Sequence, residues 1–503
     1  MKRHFSAILI AVLAVTANLS AADKPNIVFI LADDLGWAEL GCYGQTKIKT
    51  PRIDSIATEG MKFTRAYSGN AVCAPSRCVL LTGKHPGHST VRNNMAMVRY
   101  GEPEGQFPIT AEDQTIASLL RVDGYKSGAF GKWGLGNTGS TGNPMKKGFD
   151  RFFGYNCQSV AHSYYPASLW SNNDIYPLKN DPPISGHSKL PADQDENDPR
   201  SYDQFKGQDY APDHINDAAL DFIRNHKDGP FFCYYPTIIP HLALHVPDED
   251  LKPYLAEGWE ETPFTKRTGG GYTPHQTPRA GYAAFITRMD KNVGKILDLL
   301  KELSLEENTI VVFTSDNGAT YLPDVDYEFF ESVGPLRGLK GSLYEGGIRV
   351  PQVVKWPGKI EAGSESDLVT GFEDWLPTLL DLSGSKTPVP DGVDGISIAD
   401  TLLGKKQGQR DFLYREFAAY GGQQAVWIGK KWKAIRQNLL PRKNKKGNPD
   451  LKIELYDLEN DIAESKDVAA ENPEIVKEAE AILKREHVPS KTFKFPPLDA
   501  LKN

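Results

Sequence analysis

Four apolar runs along the chain predict the strands of a buried sheet. Residues 26–32 and 309–314 are nearly continuous apolar segments rich in β-branched side chains, residues 230–235 are similar, and residues 126–130 form a shorter run. Strands that are covered on both faces show this pattern, because neither face alternates with solvent. We therefore expect a sheet whose central strands are parallel.

Segments with helical periodicity lie between and after these strands. Residues 111–122, 218–226 and 372–382 are predicted helices, and apolar residues on one face between 285 and 300 indicate a longer helix. Strands that alternate with helices predict the α/β class. Further along, residues 425–435 and 452–456 have the pattern of strands in a small antiparallel sheet, and residues 474–485 that of an amphipathic helix.

The ends of the chain suggest how it is organised. Residues 1–22 have the basic start, apolar run and small residues of a secretory signal peptide, which predicts export to the periplasm or the exterior. No later segment approaches the ~20 apolar residues that a membrane helix needs. A loop near residues 388–395 suggests a boundary, so we predict an N-terminal domain at 23–390 and a C-terminal subdomain at 391–503.

Composition narrows the range of partners. The 503 residues carry a formal net charge of −7 and a pI near 5.9, which gives no reason to expect nucleic acid or an anionic membrane as a partner. The five cysteines are an odd set without the spacing of a zinc site or a disulfide framework: Cys42, Cys73, Cys78, Cys157 and Cys233. In an exported protein this suggests that one cysteine has a separate role, and Cys73 is the candidate.

Polar residues follow two of the predicted strands. Asp33 and Asp34 come after the run 26–32, and Asp316 and Asn317 come after the run 309–314. An Asp-Asp-x-Gly sequence on its own is more often a polar turn. Open α/β sheets, however, bind ligands at the carboxyl ends of their strands, so two such steps predict one cluster of oxygen ligands. Carboxylate and amide oxygens suit Ca²⁺ or Mg²⁺ rather than zinc.

Cys73 stands at the predicted start of a helix. Pro75 suits the first turn, the apolar residues 79–81 give the helix a buried side, and Gly83 ends it. Unpaired N–H groups at a helix N-terminus favour an anion, and Arg77 adds positive charge one turn on. A cysteine before a helix is more often a small buried apolar residue, but the longer string around it is far more specific.

That string, Cys-x-Pro-Ser-Arg from Cys73 onwards followed by Leu-Thr-Gly, resembles the signature of the type I sulfatases. The resemblance implies an alkaline-phosphatase-like α/β fold, with a large mixed sheet between helices and a smaller antiparallel sheet with a helix. It also implies that a maturation enzyme oxidises Cys73 to Cα-formylglycine, whose hydrated aldehyde attacks sulfur. The implied substrate is a sulfated saccharide or another sulfate ester.

The resemblance also assigns roles to the polar residues already singled out and to three others. One Ca²⁺ is expected to be bound by Asp33, Asp34, Asp316, Asn317 and the modified side chain of Cys73. The catalytic set is expected to comprise the modified Cys73, three cations that offset the charge of sulfate, and a histidine that protonates the leaving alcohol: Cys73, Arg77, Lys132, Lys340 and His241.

Gly134 departs from the family pattern. Residues 131–136 resemble the family motif Gly-Lys-Trp-His-Leu-Gly, but glycine replaces the histidine that hydrogen-bonds the formylglycine hydroxyl. We consider His85, His88 and His162 as substitutes. Two other functions remain open, namely a phosphate or phosphonate monoester hydrolase of the same superfamily and a catalytically weak glycan-binding relative.

The segment 138–210 has little periodicity and is rich in Gly, Pro, Asn, Asp, Ser and Tyr, which predicts long loops over the sheet edge. Some of its aromatic side chains are candidates to line a sugar pocket, although loop aromatics more often cover the core: His162, Tyr164, Tyr165 and Trp170.

Overall fold

A computed structural model describes residues 24–97, 105–440 and 449–502, so the predicted signal peptide lies outside the described residues. Within these ranges eleven strands form one large sheet: β1 Asn26–Ala32, β2 Met61–Tyr67, β3 Lys126–Lys132, β4 Arg151–Tyr155, β5 Ser168–Ser171, β6 Asp174–Pro177, β7 Phe231–Pro236, β8 Thr309–Ser315, β9 Arg349–Lys355, β10 Ser364–Ser366 and β11 Thr370–Gly371. Their order is β10-β2-β9-β8-β1-β7-β3-β4-β5-β6, and β11 pairs with β2.

Four more strands form a second, antiparallel sheet in the order β12-β13-β14-β15: Phe412–Phe417, Gln423–Ile428, Trp432–Arg436 and Glu454–Asp457. The α-helices of the described residues are α1 Pro51–Thr58, α2 Cys73–Thr82, α3 Ile116–Val122, α4 Ala211–Asn225, α5 Asp248–Leu255, α6 Pro278–Glu302, α7 Glu345–Ile348, α8 Trp375–Leu382, α9 Ala399–Leu402, α10 Pro473–Glu486 and α11 Pro496–Asp499. None of them is long and apolar enough to cross a membrane.

Helices cover both faces of the large sheet. Alternate side chains of β1 enter different cores: Val28 and Ile30 pack with residues of α4 and α6, whereas Ile27 and Phe29 pack with residues of α2, α3 and α8. A strand with two buried faces has no polar side, which is why its sequence is a continuous apolar run. The predicted α/β class with a large mixed sheet and a smaller antiparallel sheet is confirmed.

The strand directions bring several carboxyl ends to one edge. Strands β8, β1, β7, β3 and β4 are parallel to their neighbours in this part of the sheet, and β9 runs antiparallel beside β8. The segments that follow β1, β3, β7 and β8 therefore emerge on the same side. This edge carries the candidate site.

Some predicted elements have different bounds. Helix α3 begins at Ile116 and not at residue 111, because Thr115 and Ser118 form a capping box there. Helix α4 begins at Ala211, well before residue 218, with a proline in its first turn. The segment 138–210 was predicted to be loops, which is wrong in part: β4, β5 and β6 lie within it, as strands too short to show periodicity.

A buried ion cluster joins the two sheets. The ammonium group of Lys433 on β14 lies 2.9 Å from a carboxylate oxygen of Glu345 and 2.7 Å from one of Glu464. Arg349 on β9 pairs with the other oxygen of Glu345 at 3.3 Å, and the indole N–H of Trp427 donates to Glu345 at 2.9 Å. The proposed division at residue 390 stays a prediction. The residues of this cluster come from both sides of that division in the sequence.

Candidate active site

The four predicted oxygen ligands lie together at the carboxyl ends of β1 and β8. The amide N–H of Asp34 donates to Oδ1 of Asp316 at 3.2 Å, and Nδ2 of Asn317 donates to Oδ1 of Asp34 at 2.8 Å. All four side chains, including Asp33, are buried. Adjacent parallel strands thus bring residues that are far apart in the sequence into one cluster, as expected.

Cys73 faces this cluster from the first turn of α2. Its Sγ lies 3.4 Å from Oδ1 of Asp33. The ammonium nitrogens of Lys132 and Lys340 lie 3.5 Å and 3.9 Å from the same sulfur. Gly83 ends the helix in the left-handed conformation at φ +69°, as predicted. The structure therefore brings the N-terminus of α2 and two lysines to the side chain at position 73.

Each of the two lysines also pairs with a carboxylate. Nζ of Lys132 lies 2.5 Å from Asp33, and Nζ of Lys340 lies 2.6 Å from Asp34. Burial opposes the charge on both ammonium groups, but the neighbouring carboxylates raise the pKa of Lys132 and of Lys340 above that of an exposed lysine. Both groups are therefore cations at neutral pH.

Arg77 lies one turn along α2, and its guanidinium group hydrogen-bonds to other residues of the protein. Nε and Nη2 donate to Oδ2 of Asp316 at 3.0 and 2.8 Å, and Nη1 donates to the carbonyl of Lys132. The side chain is fully buried. Arg77 therefore holds Asp316 in place, and its positive charge reaches the cluster through that carboxylate.

Burial and charge set the ionisation of the cluster. Burial alone would raise the pKa of Asp33, but the positive charge of Lys132 and its neighbours holds this pKa well below the usual range. Burial and the charge of Asp33 raise the pKa of Asp316 to about 7. The same two causes raise the pKa of the Cys73 thiol to about 12, so an unmodified cysteine would carry a proton.

His241 follows β7 and faces the cluster. Its Nδ1 lies 2.6 Å from the carbonyl oxygen of Leu242, which makes Nδ1 the donor, and its Nε2 lies 3.7 Å from Oδ2 of Asp34. Burial and the two lysines hold the pKa of His241 well below its ordinary value. The hydroxyl of Tyr164 is 2.6 Å from the carbonyl oxygens of Ile238 and His241, and so supports the loop.

The predicted aromatic pocket is only partly formed by the residues singled out. Tyr164 and Tyr165 are buried, and Trp170 packs against the core, so these three cover the interior. His162 stacks on His241 with ring centroids 4.8 Å apart and an interplanar angle of 7°. The ring of Tyr272 is nearly perpendicular to both histidine rings, with centroids 5.0 and 5.4 Å away, a contact that nothing in the sequence pattern indicated.

His85 and His88 are not near Cys73. They follow Gly83 at the far end of α2, and a helix of 10 residues separates the two ends by about 15 Å. His85 pairs with Glu486 at 3.2 Å, and the two imidazole rings stack on each other. Of the three histidines considered as substitutes at position 134, only His162 lies at the site.

Gln158 fills the space beside Gly134. A β-carbon added to Gly134 would lie 1.9 Å from Nε2 of Gln158, and Gly134 has a φ of +75°. Both amide atoms of Gln158 are buried and have no hydrogen-bond partner among the described residues. Gly134 follows β3 and Gln158 follows β4, its parallel neighbour, so only the sheet pairing reveals this contact.

The residues at the strand ends fit a hard divalent cation. Oδ1 of Asn317 is buried and has no hydrogen-bond partner in the described ranges, as expected of an oxygen that binds a cation. Ligand atoms of Asp33, Asp34, Cys73 and His241 all lie within 4.8 Å of one another. The donor set at the ends of β1 and β8 consists of oxygens, which Ca²⁺ and Mg²⁺ prefer.

Comparisons with known proteins identify relatives over most of the chain. The model of the sulfatase family matches residues 25–385, and that of the C-terminal region of N-sulphoglucosamine sulphohydrolase matches residues 339–488. Human N-acetylgalactosamine-6-sulfatase is 32% identical over 436 residues, which cover 83% of this chain and 75% of that protein. The N-acetylgalactosamine-6-O-sulfatase of Bacteroides thetaiotaomicron is 31% identical over 523 residues, covering 93% and 94%.

Solved structures share the architecture. The crystal structure of Ps i-CgsB superposes with a TM-score of 0.70 at 26% identity and covers 92% of this chain and 94% of that chain. A phosphonate monoester hydrolase of Agrobacterium radiobacter, at 20% identity and a TM-score of 0.58, has the same fold and covers 92% and 96%. The chain belongs to the sulfatase family, as a type I sulfatase of the alkaline phosphatase superfamily, and is an enzyme that hydrolyses sulfate esters.

Proposed function

We propose that this sulfatase releases sulfate from sulfated saccharides, with residue 73 matured to formylglycine and one Ca²⁺ as cofactor. The observation that carries the proposal is the position of Cys73, which lies at the N-terminus of α2 and within 4 Å of two ammonium groups. A sulfate ester resists attack because its oxygens repel nucleophiles. Fixed positive charge around sulfur offsets that repulsion as the new bond forms.

Modification of residue 73 fits its surroundings better than a thiolate does. The pKa of the thiol is raised to about 12 by burial and by Asp33, so a reactive thiolate would be scarce at neutral pH. A hydrated aldehyde has two hydroxyls. One forms the bond to sulfur as the ester S–O bond breaks, and the other then loses its proton, so that sulfate departs and the aldehyde is restored.

The surrounding side chains have distinct proposed roles. Lys132 and Lys340 bind sulfate oxygens. Asp33, Asp34, Asp316 and Asn317 hold Ca²⁺, which supplies further positive charge for the sulfate group when it is bound. Arg77 keeps Asp316 in place through its two hydrogen bonds.

His241 is proposed to protonate the leaving alcohol. The hydrogen bond from Nδ1 to the Leu242 carbonyl fixes the ring, so that Nε2 faces the cluster. The lysines favour the neutral imidazole, whereas a bound sulfate ester carries a negative charge that raises the pKa of His241 again. The proton is therefore held most firmly when substrate is present, and Nε2 can deliver it to the departing oxygen.

The relatives support a saccharide substrate. N-acetylgalactosamine-6-sulfatases are among the similar proteins, and a Ps i-CgsB structure at 26% identity contains k-i-k-neocarrahexaose. A phosphate or phosphonate monoester hydrolase is the alternative, but the similar phosphonate hydrolase supports the fold alone. We also propose export directed by residues 1–22, and a division into 23–390 and 391–503.

The test compares sulfate and phosphate esters. The protein is co-expressed with a formylglycine-generating enzyme and assayed with 4-nitrophenyl sulfate and 4-nitrophenyl phosphate. It is also assayed with N-acetylgalactosamine 6-sulfate and with sulfated carrageenan, each as monosaccharides and as oligosaccharides. We expect sulfate release, and a peptide containing residue 73 that is ~18 Da lighter than the cysteine form. Full sulfatase turnover by Cys73→Ala, or a preference for the phosphate ester, would refute the proposal.

A further inference from the structure

Two tyrosines lie exposed side by side on segments from different sheets. Tyr321 is 44% exposed and follows the polar step after β8, and Tyr420 is 49% exposed in the turn between β12 and β13. Their hydroxyl oxygens are 3.2 Å apart, and their rings meet edge to face with centroids 6.0 Å apart. Together they form an exposed aromatic surface, which we name the tyrosine pair.

The tyrosine pair lies beside the catalytic cluster. The amide N–H of Lys340 donates to the carbonyl of Ala319 at 2.8 Å, and Tyr321 comes two residues later. The ring of Tyr420 covers Gly341, where an added β-carbon would lie 2.8 Å from two ring carbons. Both tyrosines are thus joined to the segment that carries Lys340, whose Nζ is 3.9 Å from the sulfur of Cys73.

Tyr420 is held in this exposed position. Its φ of +51° lies in the left-handed region, which costs a residue with a β-carbon roughly 1–2 kcal/mol. The ring of Phe417 stacks beneath it, with centroids 5.6 Å apart and an interplanar angle of 28°. An aromatic side chain that stays 49% exposed although its ring is packed against Phe417 and its backbone is strained is consistent with a binding role.

We propose that the tyrosine pair binds a sugar ring adjacent to the sulfated residue of an oligosaccharide substrate. This inference rests on the proposed function. Pyranose rings present C–H groups that pack on aromatic faces, and hydroxyls that hydrogen-bond to phenol groups, so tyrosine provides both kinds of contact. The tyrosine pair flanks the segment of Lys340 and is not among the side chains placed around Cys73, so a small ester would occupy the cluster without needing the pair. The pair therefore selects for chain length.

The test separates saccharide binding from chemistry. Tyr321→Ala/Tyr420→Ala is compared with the parent on 4-nitrophenyl sulfate and on the oligosaccharide from which the parent releases most sulfate. We expect the KM for the oligosaccharide to rise about tenfold, which corresponds to about 1.4 kcal/mol of lost contact, with turnover of 4-nitrophenyl sulfate unchanged. Tyr321→Phe/Tyr420→Phe should keep most of the affinity, because the rings remain.

Tyr176→Ala is the matched control, since Tyr176 is 39% exposed on the edge strand β6. It should change neither KM. An unchanged oligosaccharide KM in the double alanine variant, or an equal loss on both substrates, overturns the role of the tyrosine pair. So does a parent that hydrolyses 4-nitrophenyl sulfate but no oligosaccharide of the panel. A parent inactive on every sulfate ester would instead refute the proposed function.

Discussion

The side-chain amide of Gln158 occupies the space that a side chain at Gly134 would need. Introducing histidine at this position is therefore not a simple restoration of the family motif. We expect Gly134→His to lower the free energy of unfolding by about 1–3 kcal/mol, because the φ of +75° strains any residue with a β-carbon and because the side chain of Gln158 must move aside. Denaturant unfolding and kcat/KM for 4-nitrophenyl sulfate would both report the loss.

The matched variant is Gly134→His/Gln158→Gly, which removes the opposing side chain. We expect it to recover the part of the loss that comes from contact with Gln158, with a remaining cost of roughly 1–2 kcal/mol because the φ of +75° persists. If Gly134→His alone were as stable as the parent, Gln158 would not be filling this space.

The stacking of His162 on His241 yields a second prediction. His162→Ala removes the ring that stacks on His241, the proposed general acid. We expect kcat to fall about tenfold or more, because small displacements of a group in that role are costly. His162→Phe keeps a flat ring and should retain most of the activity. His187→Ala removes a 2.9 Å hydrogen bond to His162 and the contacts of its ring with His162 and Tyr272, but leaves the stack of His162 on His241 in place. It should have a smaller effect than His162→Ala, and an equal loss would contradict the stacking role.

Asn317 provides a test of the cation site that does not depend on turnover. Calcium should stabilise the parent against thermal unfolding, by about 2.7 kcal/mol at a free concentration 100 times Kd. Asn317→Ala removes a buried oxygen that has no hydrogen-bond partner in the described parts of the chain, so a higher calcium concentration should be needed for the same shift. Asn197→Ala, on the exposed surface, is the control. Chelation that altered neither stability nor activity would count against the site.

Glu39 predicts a pH dependence of stability. This carboxyl is fully buried, accepts hydrogen bonds from the Gly36 amide and the Tyr282 hydroxyl, and has its pKa raised to about 7 by burial. The folded state therefore favours the protonated form. The resulting stability is fully present below about pH 4.5 and is lost as the pH rises through about 7.

The variant Glu39→Gln keeps a neutral side chain at every pH. Relative to the parent, its free energy of unfolding should increase by about 3 kcal/mol between pH 4.5 and pH 8, since a tenfold change in proton affinity corresponds to about 1.4 kcal/mol. Denaturant unfolding at several pH values would measure this difference. A difference that does not vary with pH would show that the pKa of Glu39 is the same in the folded and the unfolded state.

The central part of the site was predictable because local patterns determine it. Strand β1 coincides with the apolar run 26–32, and the aspartates after it lie where parallel strands end. Helix α2 begins at Cys73 and ends at Thr82, just before Gly83, because proline and glycine have strong positional preferences. Such features depend on neighbours in the sequence.

The contacts around the site could not be predicted in the same way. Gln158 meets Gly134, and Tyr420 meets Gly341, only because separate strands and sheets bring their loops together. Strands β4 to β6 are too short to show periodicity, and β12 was not anticipated. The glycine at position 134 showed from the sequence alone that this chain departs from the family motif. Gln158, which fills the space beside it, is not marked by any local sequence pattern.

The buried ion cluster means that the small sheet is not a dispensable appendage. A chain truncated after residue 390 would lose Lys433. Glu345 would then keep only Arg349 of these two cationic partners, and the interior that the small sheet covers would be exposed to water. Removing one partner of a buried ion pair commonly costs 3–5 kcal/mol. Because Glu345 follows Lys340 closely along the chain, a lesion in the C-terminal sheet would disturb Lys340, which we propose to bind sulfate, and both sheets should melt in a single transition.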